Sequence, residues 1–286
     1  MSLEDLAGKT YGPVTTEISA AKVAEYVDAT GDQRDRWCRH APPSYAGALL
    51  FVLAPRFLFS NEVLPYTKVL VHSDQRFQWH GPLTIGDEVT VTAEVSRVRV
   101  RGSMHFVKFT AWAANAAGRV LDSESTFVMA AEGGPDPAPE EVEPPVGAAA
   151  GRDKVRQFEM DGVPGVLPSM TKSASRIDLV RYAAASGDFN PIHYDHETGR
   201  AAGFEGVIVH GLLMGAWAAQ LAAATTGRPD PLADLRLRFK NALRPAVAAT
   251  VSGTVESAED GLATVILSVR TQQTELVSGR ATVRRE

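Results

Sequence analysis

The sequence predicts an α+β fold built twice over. A segment rich in Pro, Gly and Ala, residues 131–152, divides the chain. On both sides of it the same order of elements recurs: a Ser-capped helix ending in Gly-Asp, a loop, an apolar helix rich in small residues, then a run of strands. The strands alternate apolar and polar residues as half-buried antiparallel sheet does. One apolar helix followed by several such strands suggests a curved sheet wrapped around a buried helix, and two such units can pack as a pseudo-dimer. The expected division is a first half at residues 1–130, a linker at 131–152 and a second half at 153–286.

The elements follow in order. Residues 19–32 (SAAKVAEYVDATGD) and 175–188 (SRIDLVRYAAASGD) each begin at a Ser that can cap a helix and end at Gly-Asp, at one constant offset. Residues 45–59 (YAGALLFVLAPRFLF) and 212–224 (LLMGAWAAQLAAA) read as the two buried helices. First-half strands are expected at 69–80, 88–101, 105–115 and 119–130, and second-half strands at 235–240, 249–256, 262–270 and 275–284. The 131–152 segment has no periodic apolar face and reads as a linker.

Composition narrows the function. The 286 residues are 44% hydrophobic and 22% charged, with net charge −5 and no Lys/Arg cluster, so neither nucleic acid nor an acidic membrane surface is an expected partner. The single cysteine, Cys38, excludes an internal disulfide and a Cys-based zinc site. The N-terminal residues lack the basic-then-apolar layout of a signal peptide, and the run at 45–59 is too short to span a bilayer and is interrupted by Pro55 and Arg56. A cytoplasmic protein is the expectation.

The chemistry concentrates at residues 186–195, SGDFNPIHYD. Asn190 precedes Pro191, which favours an extended Asn and a helical turn beginning at the proline. The chain should leave its helix at Gly187, bend, and re-enter a short helix near Ile192, which can bring Asp188 and His193 to one small volume. A carboxylate and an imidazole that share a water form a general acid–base pair. Further on, the segment VIVH runs into Gly211 at the start of the second apolar helix. First-turn N–H groups of a helix have no internal partner, and a glycine there lets a carbonyl oxygen approach them, as in an oxyanion hole.

These residues resemble the MaoC-like hot-dog family, which includes (R)-specific enoyl-CoA hydratases and 3-hydroxyacyl thioester dehydratases. The resemblance rests on Y-x-x-x-S-G-D-x-N-P-I-H-x-D, then A-x-x-x-G-F, then I-x-H-G. Tyr182, Ser186, Gly187, Asp188, Asn190, Pro191, Ile192, His193, Asp195, Gly203, Phe204, Ile208, His210 and Gly211 spell it here. It is close from residue 175 to the C-terminus and looser in the first half. It implies a tandem (double) hot-dog fold, antiparallel sheets each wrapped around a central helix. It also implies Asp188 and His193 as the pair that activates one water toward a trans-2-enoyl thioester. The N–H of Gly211 would hold the thioester oxygen, with Asn190 fixing the loop; His210, beside Gly211 at the helix start, reads either as support for the active-site loop or as a satisfied core residue. The substrate would carry CoA or acyl-carrier protein, with no other cofactor.

The first half departs from the pattern. After Gly31-Asp32 it reads QRDRW, so Arg34 stands where Asn190 aligns and Trp37 where His193 does, and one active site per chain is expected. His193, Asp195 and His196 show no i, i+4 pair and no distant third ligand, so no metal is expected. His40, His72, His80 and His105 read as ordinary surface or strand residues, and Arg236, Arg238 and Lys240 as a solvated strand face. Trp37, Tyr45, Phe51, Met214 and Trp217 are expected to set the acyl tunnel. A non-catalytic acyl-thioester-binding subunit and a hot-dog thioesterase remain alternatives. The apolar helix at 212–224 carries no carboxylate, which counts against hydrolysis. A homodimer of the double chain is a further possibility.

Overall fold

Eleven strands join into one antiparallel sheet in the computed structural model, which describes residues 2–133, 157 and 165–285. Most of the 131–152 segment read as a linker therefore lies outside the described residues. The first half runs β1 (Thr10–Glu17), α1 (Ala20–Thr30), α2 (Ala46–Leu50), α3 (Ala54–Leu58), β2 (Val69–Trp79), β3 (Glu88–Arg101), β4 (Met104–Asn115) and β5 (Gly118–Ala130). The second runs β6 (Gly165–Val166), β7 (Met170–Lys172), α4 (Arg176–Ser186), α5 (His196–Ala201), α6 (Gly211–Ala223), β8 (Leu232–Phe239), β9 (Ala249–Glu259), β10 (Leu262–Arg270) and β11 (Glu275–Arg284). The fold is mixed α+β in a tandem hot-dog arrangement.

The sheet order is β1-β3-β4-β5-β2-β8-β11-β10-β9-β6, with β7 also on β9. Each half contributes its strands in the matching order, and the halves meet edge to edge where β2 pairs with β8. That seam is five residue pairs long, from Asp74↔Arg238 to Gln78↔Asp234. It is centred on Arg76↔Arg236, and Asp234 sits between the two guanidiniums, accepting from both.

Local chemistry explains the helices. The Ser19 and Ser175 hydroxyls accept from the N–H groups of Lys22 and Asp178, caps that each contribute about 1 kcal/mol. Gly31 and Gly187 close α1 and α4 with φ of 65° and 81°, a left-handed turn that glycine adopts without Cβ strain. From Leu212 onward every residue of α6 is buried, so it lies in the core rather than on it, packed against β8, β9, β10 and β11. Its small residues permit close approach: a Cβ at Gly215 would stand 2.6 Å from the Leu237 side chain.

The first central helix differs from expectation. A continuous helix at 45–59 is replaced by a 3-10 turn (Pro43–Tyr45), α2 and α3, with a break at 51–53. Pro55 has no N–H to give the Phe51 carbonyl, so the helix stops and restarts with the proline in its first turn. Strands β1, β6 and β7 were not predicted. In β1 only Tyr11 is buried, and β6 and β7 are two and three residues long, too short to show a period.

Candidate active site

The second apolar helix and the loop after α4 meet at one cavity of about 180 Å³, room for several waters. The loop is fixed from both ends. Asn190 caps the 3-10 turn Pro191–His193 by accepting from the Ile192 N–H, and its amide donates to the Leu70 carbonyl of β2 at 3.2 Å. Asp195 then caps α5 through the Thr198 N–H. The loop thus turns twice within ten residues. As a result, an Asp188 oxygen, a His193 ring nitrogen and a His210 ring nitrogen lie within 4.8 Å of one another.

All three side chains are buried. His193 Nδ1 lies 2.9 Å from the Ile208 carbonyl, which can only accept, so Nδ1 carries the proton and Nε2 keeps a lone pair. His210 Nε2 donates in the same way to the Asp188 carbonyl at 3.2 Å, leaving its buried Nδ1 without a partner among the described residues. The two imidazoles stack with centroids 3.7 Å apart and planes inclined 22°, and Tyr182 meets His210 edge-on.

Burial pushes the proton affinities of the acid and the base in opposite directions. The Asp188 carboxyl is raised to about 7, opposed only by the Asn190 N–H it accepts from. His193 is lowered to about 4 by the same burial, and His210 well below its ordinary value. Near neutral pH the imidazoles are uncharged and the carboxyl is divided between its acid and its anion. Two titratable groups pushed apart in this way make an acid and a base available over one volume.

Beside them, α6 begins. The first intrahelical bonds run from Leu213 and Met214 to the His210 carbonyl, so the N–H groups of Gly211 and Leu212 precede the hydrogen-bonded turn. Both residues line the cavity. A Cβ at Gly211 would meet the Phe239 ring at 3.2 Å, so this position leaves no slack for a side chain.

The sequence singled out Asp188, Asn190, His193, His210 and Gly211, and the fold brings all five to one place. His210 also supplies the third ligand-type group that the sequence did not reveal. Even so, stacked rings direct their lone pairs side by side, and planes so nearly parallel do not meet within the ~2.0–2.1 Å of a zinc–imidazole bond. The donor set therefore does not fit a single ion. Of the five residues expected to shape the tunnel, Phe51 and Met214 line the cavity. Trp37, Tyr45 and Trp217 are buried elsewhere in the core. The helix break delivers Phe51, because there the first-half chain turns its side chain toward Gly187.

The cavity opens where the seam ends. Beyond Asp74↔Arg238 the two strands part, with His72 and Ser73 on one lip and Lys240 and Asn241 on the other. His72 is a strand residue, as the sequence reading has it, and in addition a wall of the cavity. Its placement follows a β-bulge between His72 and Asp74 that no apolar periodicity announces. Lys240 is tied to Glu275 and Arg236 to Asp234, so the basic strand face is largely paired.

At the seam's other end, Trp79, Gly81, Pro231 and Leu232 close around a gap of about 10 Å³, too little for more than one water. The Arg284 guanidinium fastens this end by donating to the carbonyls of Trp79, Asp230 and Leu232. The first-half counterpart of the catalytic loop is packed on its inner side, while Gly31 to Asp35 line an open groove of about 1060 Å³ with Arg181 and Ala185 on its outer side. Trp37 is buried, Arg36 donates to the Ala223 and Thr226 carbonyls at 2.6 and 2.8 Å, and Lys172 donates to the Gly31 carbonyl. Asp32 has Lys172 and Arg36 as neighbouring cations, whereas among the described residues no cation acts on Asp188.

Comparison with known proteins agrees with this architecture. The family described as "MaoC like domain" matches residues 162–276, and the FAS1-like dehydratase domain region matches residues 5–123. Residues 162–276 are thus similar to a MaoC-like domain, within a chain of double hot-dog fold. A solved MaoC-like dehydratase covers 100% of both chains with TM-score 0.81 at 21% identity. HtdX of Mycobacterium tuberculosis aligns over 97% of this chain and 100% of its own, with TM-score 0.69 and 21% identity. A UPF0336 protein of Cutibacterium acnes is 36% identical over 109 residues, 35% of this chain and 73% of that protein. The mitochondrial 3-hydroxyacyl-[acyl-carrier-protein] dehydratase of Arabidopsis thaliana is 48% identical over 44 residues, 15% of this chain and 26% of that protein. Among the described residues, no helix is long and apolar enough to cross a membrane.

Proposed function

We propose that this protein is a hydro-lyase that reversibly hydrates trans-2-enoyl thioesters of CoA or acyl-carrier protein to (R)-3-hydroxyacyl thioesters, working in the cytoplasm. The observation that carries the reading is the pairing of a carboxyl raised to about 7 with an imidazole lowered to about 4 over one cavity, beside unpaired helix N–H groups. The short Arabidopsis match, whose name states a 3-hydroxyacyl dehydratase, and the two dehydratase-type family matches support the same chemistry.

In the hydration direction, His193 Nε2 accepts a proton from a water as the water oxygen bonds to the β-carbon. The alkene electron pair moves toward the thioester, whose oxygen gains enolate charge and is held by the Gly211 and Leu212 N–H groups. The Asp188 carboxylic acid then delivers its proton to the α-carbon and the carbonyl re-forms. A proton passes from His193 back to Asp188 through the next water, and the pair is restored. Both groups stand on one side of the cavity, so proton and hydroxyl add to the same face. The reaction asks for no metal or redox cofactor. Catalysis resides in residues 153–286, and Asn190 and His210 act by holding the loop and the Asp188 backbone.

The test is turnover of crotonyl-CoA and longer trans-2-enoyl-CoAs, with product stereochemistry, in the intact chain and in Asp188→Asn and His193→Ala. Formation of (R)-3-hydroxyacyl-CoA that disappears in both variants is expected. Release of free CoA instead would make the protein a thioesterase, and binding without turnover of any thioester would make it a binding subunit.

A further inference from the structure

The half that lacks the catalytic motif presents one polar group to the cavity that the chemistry above leaves unused. His72 stands on β2 at the bulge, where four consecutive residues, Leu70 to Ser73, line the cavity instead of alternating across the sheet. Its ring is held between Phe127 and Phe239, with centroids 4.8 and 5.2 Å away. Phe239 in turn touches Gly211, so His72 lies one aromatic ring beyond the helix turn that receives the thioester oxygen. The Asp74 backbone and the Gln75 side chain lie against the ring, yet its Nε2, shut away from bulk solvent, has no hydrogen-bond partner of normal geometry among the described residues. Ser73, next to it, is already engaged with Asp74 and the Thr126 carbonyl.

We infer that His72 is a specificity-determining residue, hydrogen-bonding through Nε2 to an uncharged polar group of the thioester, either an amide of the pantetheine arm or a hydroxyl on the acyl chain. This rests on the enoyl-thioester reading above. An unpaired buried nitrogen is a standing cost that such a ligand group removes. Burial keeps the ring neutral at working pH, with its proton affinity lowered to about 4. The aromatic walls and the engagement of Lys240 by Glu275 offer nothing to a charged group. The first half thereby shapes what the second half transforms.

The test uses the full chain with His72→Phe, which keeps a ring and removes the hydrogen bond, and His72→Gln, which keeps a polar end. Calorimetry measures binding of butyryl-CoA, which cannot be hydrated. Kinetics use crotonyl-CoA, the amide-free S-propyl thioester of crotonic acid, hex-2-enoyl-CoA and 6-hydroxyhex-2-enoyl-CoA. If the partner is a pantetheine amide, His72→Phe weakens every CoA ester about 3- to 10-fold, mainly in KM, and spares the S-propyl ester. If it is a hydroxyl on the chain, the loss is confined to the 6-hydroxy substrate. In either case His72→Gln recovers part of it. The inference is overturned if His72→Phe behaves as wild type throughout, or if all substrates fall alike with the melting temperature unchanged. A wild-type chain that binds butyryl-CoA but turns over no thioester refutes the hydratase reading and leaves the binding result to decide the role of His72. One that binds no thioester refutes both.

Discussion

Replacing Asp188 by Asn should make the protein more stable at alkaline pH while abolishing turnover. Burial raises the carboxyl from 3.8 to about 7, a shift of about three units at 1.36 kcal/mol each, or about 4 kcal/mol. The folded state binds a proton that the unfolded chain has already released. The stabilising contribution is therefore fully present below pH 3.8 and is lost as pH rises through about 7. His193 has the opposite sign: its affinity falls from 6.5 to about 4, so its contribution is present above 6.5 and lost as pH falls through 4. In the wild type these slopes oppose each other, and His210 adds to the histidine side. Asn keeps the acceptor for the Asn190 N–H and does not titrate. Urea unfolding at intervals from pH 4 to pH 8, with m held constant, should show the variant and wild type nearly equal at the acid end. They should diverge by about 4 kcal/mol at the alkaline end. Parallel curves would mean that the carboxyl titrates normally, and Asp188 would lose its place as the acid.

The same two values predict a bell-shaped kcat/KM for the pair, with limbs near 4 and 7, in hydration and dehydration alike; a plateau above pH 7 would show Asp188 acting as a base. Gly211→Ala should lower kcat about 10²–10³-fold by displacing the first-turn N–H groups against Phe239, with calorimetric butyryl-CoA binding less affected. Restoring the motif in the first half with Arg34→Asn and Trp37→His, in a His193→Ala background, should leave turnover of crotonyl-CoA at zero, because the matching end of the seam is closed. Arg284→Leu should cost about 1–3 kcal/mol in urea unfolding, since it strips donors from the carbonyls it bridges.

Much of this was legible in the sequence because it is local. Ser175, Gly187 and Pro191 set the loop by rules that act within a few residues, and the period of β3 to β5 and β9 to β11 is the burial pattern itself. What was not legible depends on long-range geometry. Pro55 marked a weak point in the first central helix, yet only the packed fold shows the break that swings Phe51 toward Gly187. His72 looked like any strand histidine because a bulge, not its place in the period, aims it inward. His210 showed no sign of its stacking on His193, and Arg284 stands more than two hundred residues from the Trp79 carbonyl it secures.

Two separate copies of such a half would have to meet by diffusion before β2 could pair with β8, and both edges would stand open until they did. Within one chain the encounter is intramolecular, at an effective concentration fixed by the connection and indifferent to dilution. Identical partners would also mirror every substitution across the axis. The tether lifts that constraint. Trp37 and His193 occupy matched positions without having to agree, so one half can be sealed and stiffened while the other stays hollow and reactive.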